Sequence, residues 1–204
     1  MEKHWTERIE SLDLSGNKYS QFGEEVIVQF IMDETLLCLP PNFLVDIGAG
    51  GAQIGISNSR RFIEEGWKGL LFDMDGSEGT IKEFITPFNI VSLLKNHNCP
   101  QKFDFLNVDI DSFDYDVIDA ILSSGYLPYI ICAEFNGTLE PESRVKLAYE
   151  EGYIWDGSNK YGFSLGAGIY LFEKYGYKVI FNQQETNIFA VNSKVLPEGF
   201  NKEI

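Results

Sequence analysis

Short apolar runs alternate with amphipathic segments along most of this chain, and several of the apolar runs end on an acidic residue. The runs at residues 43–47 and 69–73 have the pattern of buried strands. Between them, residues 57–65 carry apolar positions at helical spacing and are followed by Gly66, which suits the end of a helix. This stretch therefore predicts one β-α-β unit with parallel strands.

The same alternation continues on both sides of this unit. Further strands are predicted at residues 103–109, 129–134, 177–181 and 187–191, and the last two are close enough to form a hairpin. Helices are predicted at residues 24–37, directly after Thr86-Pro87, at 116–123 and at 165–175. The chain is thus expected to form an α/β fold with a mostly parallel sheet, an antiparallel C-terminal hairpin and helices on both faces.

The composition predicts a globular and acidic protein. The chain has 204 residues, 44% of them hydrophobic, which is enough for one domain with its own core. Its 31 acidic and 16 basic residues give a formal charge of −15, which would repel a nucleic-acid backbone or an anionic membrane surface. The start of the chain does not resemble a signal peptide, and no window approaches about 18 apolar residues. We therefore expect a cytoplasmic protein with neither nucleic-acid nor membrane partners.

A glycine turn follows the first predicted strand. Gly48, Gly50 and Gly51 would allow the backbone to approach a ligand closely, and an acid lies about 20 residues further on, as in nucleotide-cofactor sites. A dinucleotide fingerprint requires a third glycine where this chain has Gln53, which argues against NAD. An NAD-type oxidoreductase is therefore the weaker alternative.

The string Asp46-Ile47-Gly48-Ala49-Gly50 resembles the DxGxG motif of class I S-adenosylmethionine-dependent methyltransferases. Other stretches are similar to the FkbM-like group of these enzymes: YSQFGE at 19–24, SNSR at 57–60, GWKGL at 66–70, ITP at 85–87, DFLNVDID at 104–111, EFN at 134–136 and WDG at 155–157. The resemblance covers about residues 19–192. It implies a Rossmann-like sheet, S-adenosylmethionine as cofactor and methyl transfer as the reaction.

The resemblance also implies a division of the chain and a set of cofactor contacts. A single methyltransferase domain, 1–204, would contain a helical lead-in at 1–40, a cofactor-binding core at 43–136, a substrate-side loop region at 137–163, and the last helix and hairpin at 164–192. The implied cofactor contacts are Gln21, Glu24, Asp46, Gly48, Ala49, Gly50, Ser57, Asp73, Asp109 and Ile110.

Asp73 ends the second predicted strand and takes the place of the ribose-binding acid of the family. Asp75 is the alternative, because a shift of two residues along a strand keeps the same face.

Two departures from the family pattern affect the adenine side of the cofactor pocket. Only ten residues separate Asp75 from Thr86, too few for the helix that normally connects parallel strands. The glycine turn also continues as Gly51-Ala52, where related sequences commonly have an acid or Asn followed by Gly. We expect this side of the pocket to be more open or to be completed by another copy of the chain, so a homo-oligomer is compatible with the sequence.

Acidic residues follow two of the later predicted strands. Asp109 ends one of them and Asp111 follows it, whereas Glu134 ends the other and Asn136 follows it. The carboxyl ends of strands in such sheets meet at one ligand crevice. These four residues are an oxygen set suited to Mg²⁺ or Ca²⁺. The arrangement resembles that of metal-dependent O-methyltransferases of the catechol type. Without a metal, Asp109 or Glu134 could act as a general base.

Two further features have competing interpretations. Asp114 and Asp116 belong to the same acidic stretch but would equally well cap the following helix. The aromatic residues of the loop region could cover a substrate or could pack against the flank of the domain: Tyr149, Tyr153, Trp155, Tyr161 and Phe163.

The sequence thus predicts an S-adenosylmethionine-dependent methyltransferase that acts on oxygen in a small molecule or sugar, with assistance from a divalent metal. The main alternative, from another functional class, is a binding module that keeps the fold and lacks catalysis. The short 75–86 connection and the altered glycine turn favour that alternative.

Overall fold

A computed structural model describes residues 5–35, 42–50, 56–76, 79–183, 185–198 and 200. The strands are β1 (Phe43–Ile47), β2 (Lys68–Asp73), β3 (Ile81–Lys82), β4 (Lys102–Val108), β5 (Leu127–Glu134), β6 (Tyr177–Gln183) and β7 (Asn187–Asn192). The helices are α1 (Trp5–Glu10), α2 (Glu24–Glu34), α3 (Arg60–Glu64), α4 (Ile90–Asn96), α5 (Asp114–Ser123) and α6 (Leu165–Lys174), with 3₁₀ turns at Leu14–Gly16 and Ser193–Val195. The end of the helix predicted at 24–37, Gly51-Ala52 and Gln53 lie outside the described residues.

The described strands form one seven-stranded sheet in the order β3-β2-β1-β4-β5-β7-β6. The pairs from β3 to β5 are parallel, whereas β7 is antiparallel to both β5 and β6. The final hairpin therefore inserts its second strand next to β5. This confirms the predicted fold class, a Rossmann-like and mostly parallel sheet with an antiparallel C-terminal hairpin.

Helices cover both faces of the sheet, as predicted. Side chains alternate between two apolar cores because successive residues of a strand point to opposite faces. Ile130 and Cys132 of β5 belong to a core shared with α1, α2 and α3, and Ile131 and Ala133 belong to one shared with α4, α5 and α6. Burial on both faces explains why these strands are continuous apolar runs in the sequence.

The connection between β2 and β3 is short, and its described residues contain no helix. The short strand β3 was not predicted. It pairs in parallel with the end of β2, with Ile81 beside Phe72 and Lys82 beside Asp73. Because β3 is only 2 residues long, the chain has to reverse over a very short distance. A turn is sufficient for this where a full crossover helix would otherwise be required.

The helix predicted at 57–65 begins later, at Arg60. The hydroxyl of Ser57 accepts hydrogen bonds from the backbone N–H groups of Ser59 (3.3 Å) and Arg60 (3.1 Å). These bonds stabilise a turn before the helix, and they leave Ser57 at the edge of the sheet where the parallel strands end.

Candidate functional site

A cleft of about 550 Å³ lies at the carboxyl ends of β1, β2, β4 and β5. This is the edge at which α/β sheets bind ligands. The predicted site residues that line it are Gln21, Glu24, Gly48, Gly50, Ser57, Asp73, Asp109, Ile110, Asp111 and Glu134. The fold therefore brings together residues that are spread over more than half of the chain. Asp46, Ala49 and Asn136 do not line the cleft.

The glycine turn is required by the protein's own backbone. Gly48 and Gly50 have φ angles of +87° and +75°. A Cβ atom on Gly48 would lie 1.6 Å from the carbonyl oxygen of Asp109, and one on Gly50 would lie 2.5 Å from that of Ile56. Close approach of a ligand was the expected reason for these glycines. The structure shows a stricter reason. The end of β1 packs so closely against Asp109, the residue after β4, that a side chain at Gly48 would collide with its backbone.

Asp46, one of the predicted cofactor contacts, does not line the cleft. Its side chain is fully buried on the face of the sheet that α3 covers. One carboxylate oxygen accepts a hydrogen bond from the Ser59 hydroxyl (2.5 Å) and the other from the Asn107 amide (2.8 Å). Burial raises the pKa of Asp46 to about 6, against the effect of these two bonds. Asp46 thus connects β1 to the turn before α3 and to β4.

Asp73 lies in the cleft opposite the glycine turn. Its two oxygens accept hydrogen bonds from the backbone N–H groups of Gly50 (3.1 Å) and Asp75 (2.8 Å). These bonds hold the carboxylate beside the turn. Asp75 also lines the cleft, so both candidates for the ribose acid lie within it. The preference for Asp73 stays a prediction.

Three acidic side chains meet on the other side of the cleft, and we call Asp109, Asp111 and Glu134 the carboxylate cluster. One oxygen from each lies within 4.8 Å of the others. Burial, followed by repulsion from neighbouring acids, raises the pKa of Asp109 and of Glu134 well above the usual range of a carboxyl group. The cluster is therefore costly to ionise unless positive charge is bound.

Asp114 caps the turn that carries the cluster. Its carboxylate accepts hydrogen bonds from the N–H groups of Ile110 (2.9 Å) and Ser112 (3.0 Å), and α5 begins at Asp114 itself. Asp114 thus caps the turn before α5, whereas α5 itself has no side-chain cap at its N-cap residue, Phe113. Asp116 instead forms an ion pair with Lys146 (2.5 Å) away from the cleft.

Asn136 is not available as the fourth ligand that the sequence predicts. It is fully buried, and its amide nitrogen donates to the carbonyl oxygens of Asn159 (3.0 Å) and Tyr161 (3.1 Å). Its side-chain oxygen accepts from the N–H (3.1 Å) and the hydroxyl (2.6 Å) of Thr138. The residue ties the loop region to the end of β5. It lies two residues beyond Glu134, past the point where the chain leaves the sheet.

The loop region supplies one wall of the cleft through Tyr153, Ile154 and Trp155. Two of the five aromatic residues considered from the sequence therefore reach the site. Phe163 is completely buried in the core, and Tyr149 packs against Phe113 with ring centroids 4.8 Å apart. Some of these rings thus line the cleft and others pack against the domain, and a substrate-covering role for the first group stays a prediction.

Asn187, the first residue of β7, is a cleft residue that the sequence does not reveal. Because β7 is antiparallel to its neighbours, its first residue lies at the edge where β5 ends, directly opposite Glu134. The only local signal is a polar residue at the start of an otherwise apolar strand. Recognising it would have required the strand order.

Comparisons with known proteins give weak similarities. No family model matches the chain, and no curated protein matches it. One similar structure is that of the Burkholderia thailandensis 1,6-didemethyltoxoflavin-N1-methyltransferase with bound 1,6-didemethyltoxoflavin and S-adenosylhomocysteine: 10% identity, 83% of this chain and 76% of that chain covered, TM-score 0.43. Another is magnesium protoporphyrin IX methyltransferase (ChlM) from Synechocystis PCC 6803 with bound SAH: 14% identity, 83% and 82% covered, TM-score 0.43.

At this level of similarity the two structures provide no information about the site, and the fold assignment rests on the strand order and register described above. The FkbM-like assignment stays a prediction. Among the helices that the structure describes, none is both long and apolar enough to cross a bilayer.

Proposed function

We propose that this protein is an S-adenosylmethionine-dependent methyltransferase that methylates a hydroxyl oxygen of a small molecule or sugar. One observation carries the proposal. A single cleft at the carboxyl edge of a parallel sheet contains a glycine turn and Asp73 on one side and the carboxylate cluster on the other. The first side suits a nucleoside cofactor, and the second suits a reaction that removes a proton.

The residues of the first side fit the proposed cofactor. Asp73 and Asp75 offer carboxylate oxygens to ribose hydroxyl groups, and Met74, Phe84 and Ile110 form an apolar surface near them for an aromatic base. When bound, S-adenosylmethionine supplies a methyl group on a positively charged sulfonium, which is already activated toward a nucleophile. The protein then has to align the two reactants and to accept the proton of the acceptor group.

The carboxylate cluster fits a divalent cation such as Mg²⁺ or Ca²⁺. Asp109, Asp111 and Glu134 would hold it, since their oxygens converge and hard cations prefer oxygen ligands. Each of the three residues offers one oxygen atom to such a site, so the second oxygen of Glu134 is not needed for the cation. Such a cation would lower the pKa of a substrate hydroxyl group.

Without a metal, Asp109 or Glu134 would accept the proton. Burial and mutual repulsion raise the pKa of both carboxyl groups, so the two are not both ionised at neutral pH, and the one that is ionised would be a stronger base than an exposed carboxylate. Both residues line the cleft, so either could contact a substrate.

Titration calorimetry with S-adenosylhomocysteine tests the cofactor assignment. We expect micromolar binding that Asp73→Ala weakens about tenfold or more, because hydrogen bonds to a charged group are lost. Asp33→Ala is the matched control, since Asp33 is an exposed acid of α2 bonded to Gln29 and its replacement removes the same charge. Folded protein that produces no binding heat would refute the proposal.

The alternative of a binding module without catalysis is favoured by the connection between β2 and β3, whose described residues contain no helix. A labelled methyl donor offered with a panel of phenols and sugars, with Mg²⁺ or with a chelator, separates the two. Methyl transfer that requires the metal supports the enzyme. Cofactor binding with no transfer to any acceptor supports the binding module.

A further inference from the structure

The cleft is acidic on almost every wall. The described residues that line it include seven carboxylates and no lysine, arginine or histidine: Glu24, Asp73, Asp75, Glu83, Asp109, Asp111 and Glu134. Residues 51–55 and 77–78, which the structure does not describe, contain no basic residue in the sequence either. On the side of the carboxylate cluster, a phosphate, sulfate or carboxylate group on a substrate would meet like charge, whereas a cation would be attracted.

Two buried oxygen atoms at the cleft lack donors. Oε2 of Glu134 and Oδ1 of Asn187 have no hydrogen-bond partner within the described part of the chain. The two residues are direct partners across β5 and β7, so their side chains lie side by side on one face of the sheet. Asn187 is 4% exposed, and Glu134 is 9% exposed. Burial and repulsion from neighbouring acids raise the pKa of Glu134 to about 11, so its carboxyl group can share a proton with Asp109. The amide oxygen Oδ1 of Asn187 can only accept, and buried acceptors are normally paired, which indicates that a donor is missing there.

Glu24 completes this group from the start of α2. Its side chain is 1% exposed, and it forms no ion pair with any described residue. One of its oxygens accepts a hydrogen bond from Nδ2 of Asn187 (2.8 Å). That bond fixes the orientation of the Asn187 amide and leaves Oδ1 as its unpaired atom. We call Glu24, Glu134 and Asn187 the acceptor corner.

We propose that the methyl-accepting substrate carries an ammonium group and that the acceptor corner binds it. An ammonium has three donors and a positive charge, and the corner offers it the unpaired Oδ1 of Asn187 beside the carboxyl groups of Glu24 and Glu134, whose ionised forms its charge would stabilise. Water would supply two donors but no charge. The inference rests on the proposed function and extends it to the class of substrate, a cationic amine without acidic groups.

The neighbouring wall suggests what the rest of the substrate is like. Ile154 and Trp155 line the cleft and are 62% and 39% exposed, so a large apolar surface faces the space beside the corner. Large apolar side chains exposed together around a cleft are typical of a ligand-binding surface. The aromatic face of Trp155 also favours a cationic ligand. An amine attached to an aromatic or other apolar body would match both features.

A matched pair of ligands tests the inference on the unmodified protein. Dopamine and 3,4-dihydroxyphenylacetate share the same catechol and differ in carrying an ammonium or a carboxylate group. With the protein saturated with S-adenosylhomocysteine and Mg²⁺, we expect calorimetry to show dopamine binding about tenfold to a hundredfold more tightly than the acid. Uncharged 4-methylcatechol should fall between them. Equal binding, or tighter binding of the acid, would overturn the inference.

Two variants in β7 test whether Asn187 contributes to the preference for the ammonium group. Asn187→Leu should reduce dopamine affinity about tenfold and leave 4-methylcatechol unchanged, because only the ammonium contact is removed. Asn192→Leu is the control, since Asn192 is equally buried at the other end of β7 and bonds Lys194 outside the cleft. The ligand comparison decides the inference even where a variant does not fold.

The cofactor also has an amino group that the acceptor corner could bind. The same experiments distinguish binding of the cofactor's amino group from binding of a substrate ammonium. Failure of S-adenosylhomocysteine to bind would refute the proposed function itself. Normal cofactor binding without selectivity between the two catechols would refute only the substrate class. If Asn187→Leu weakened cofactor binding and not dopamine binding, the corner would belong to the cofactor, and the substrate assignment would be wrong.

Discussion

The two sides of the cleft differ in how complete they are. On the glycine-turn side, formed by Gly48, Gly50 and Asp73, backbone N–H groups satisfy both oxygens of the acid. On the carboxylate side, Glu134 and Asn187 retain buried oxygens without a described partner, and like charges lie close together. On the first side, the folded backbone alone supplies the hydrogen bonds of the acid. On the second side, added positive charge would relieve the repulsion among the acids, so we expect the two sides to respond differently to substitution, pH and cations.

The largest effect is expected from Gly48→Ala on the glycine-turn side. The new Cβ would overlap the carbonyl oxygen of Asp109 at a φ of +87°, so β1 and the residue after β4 would have to separate. We expect a loss of roughly 3 kcal/mol or more in the free energy of unfolding, measured by urea denaturation. Gly66→Ala is the control, because Gly66 has a similar φ of +94° but no atom within 4 Å of the Cβ position. It should cost only about 1–2 kcal/mol.

The next prediction concerns pH and separates two kinds of buried acid. Asp46 and Glu134 both have a folded-state pKa above the unfolded value, so the folded protein binds more protons and the free energy of unfolding falls as pH rises. For Asp46 this loss falls between about pH 4 and pH 6, and for Glu134 it continues to higher pH. A pKa that is higher by one in the folded state than in the unfolded state corresponds to a loss of about 1.4 kcal/mol.

Divalent cations should distinguish the two acids. Urea unfolding at pH 5 and pH 8 should show that MgCl₂ restores stability at pH 8, because the cation neutralises the carboxylate cluster. Glu134→Gln should remove most of this response, whereas Asp46→Asn should preserve it. A magnesium effect that is unchanged in Glu134→Gln would show that the cluster does not bind the cation.

Asn136→Ala tests the attachment of the loop region to the carboxylate side. Four hydrogen bonds of the buried amide would be lost, at a cost of about 1–3 kcal/mol in the free energy of unfolding. Trp155 should become more accessible to acrylamide, which quenching of its fluorescence would report. Asn182→Ala, at an exposed position of β6, is the control and should change neither quantity. Unchanged quenching in Asn136→Ala would mean that the loop is held by other contacts.

The smallest effect is expected from Asp116→Asn, an acid of the same stretch that lies outside the cleft. Its ion pair with Lys146 is partly exposed, and such pairs contribute about 0–1 kcal/mol. Stability by urea unfolding should change by less than about 1 kcal/mol, and the response to MgCl₂ should stay as in the unmodified protein. A lost magnesium response would extend the cation site beyond the cluster.

The fold was largely predictable because the strands are buried on both faces. The apolar run at 43–47 matches β1, and the antiparallel hairpin at the C-terminus was also expected. The strand β3 was not, since 2 residues carry no detectable periodicity. The sequence did predict that the connection after β2 is too short for a helix, and the described residues of that connection contain none.

The candidate site was predictable at the ends of strands and less so beyond them. Asp73, Asp109 and Glu134 lie in the cleft as expected, because the last residue of a parallel strand, or the one after it, reaches the ligand-binding edge. Asp46 does not line the cleft, because it lies one residue before the end of its strand and its side chain bonds Ser59, next to α3. Asn136 does not line it either, and the irregular chain after a strand has no periodicity that would predict the direction of its side chain.

The sequence by itself determined the α/β architecture, the position of the glycine turn and the acidic character of the site, since these depend on local periodicity and composition. Only the tertiary structure decided which acids converge, that Gly48 is required by the backbone of Asp109, and that Asn187 lies opposite Glu134. The physical reason is that strand order is set by packing between distant segments. In this protein, an antiparallel strand placed beside β5 brings its first residue to the edge where the parallel strands end.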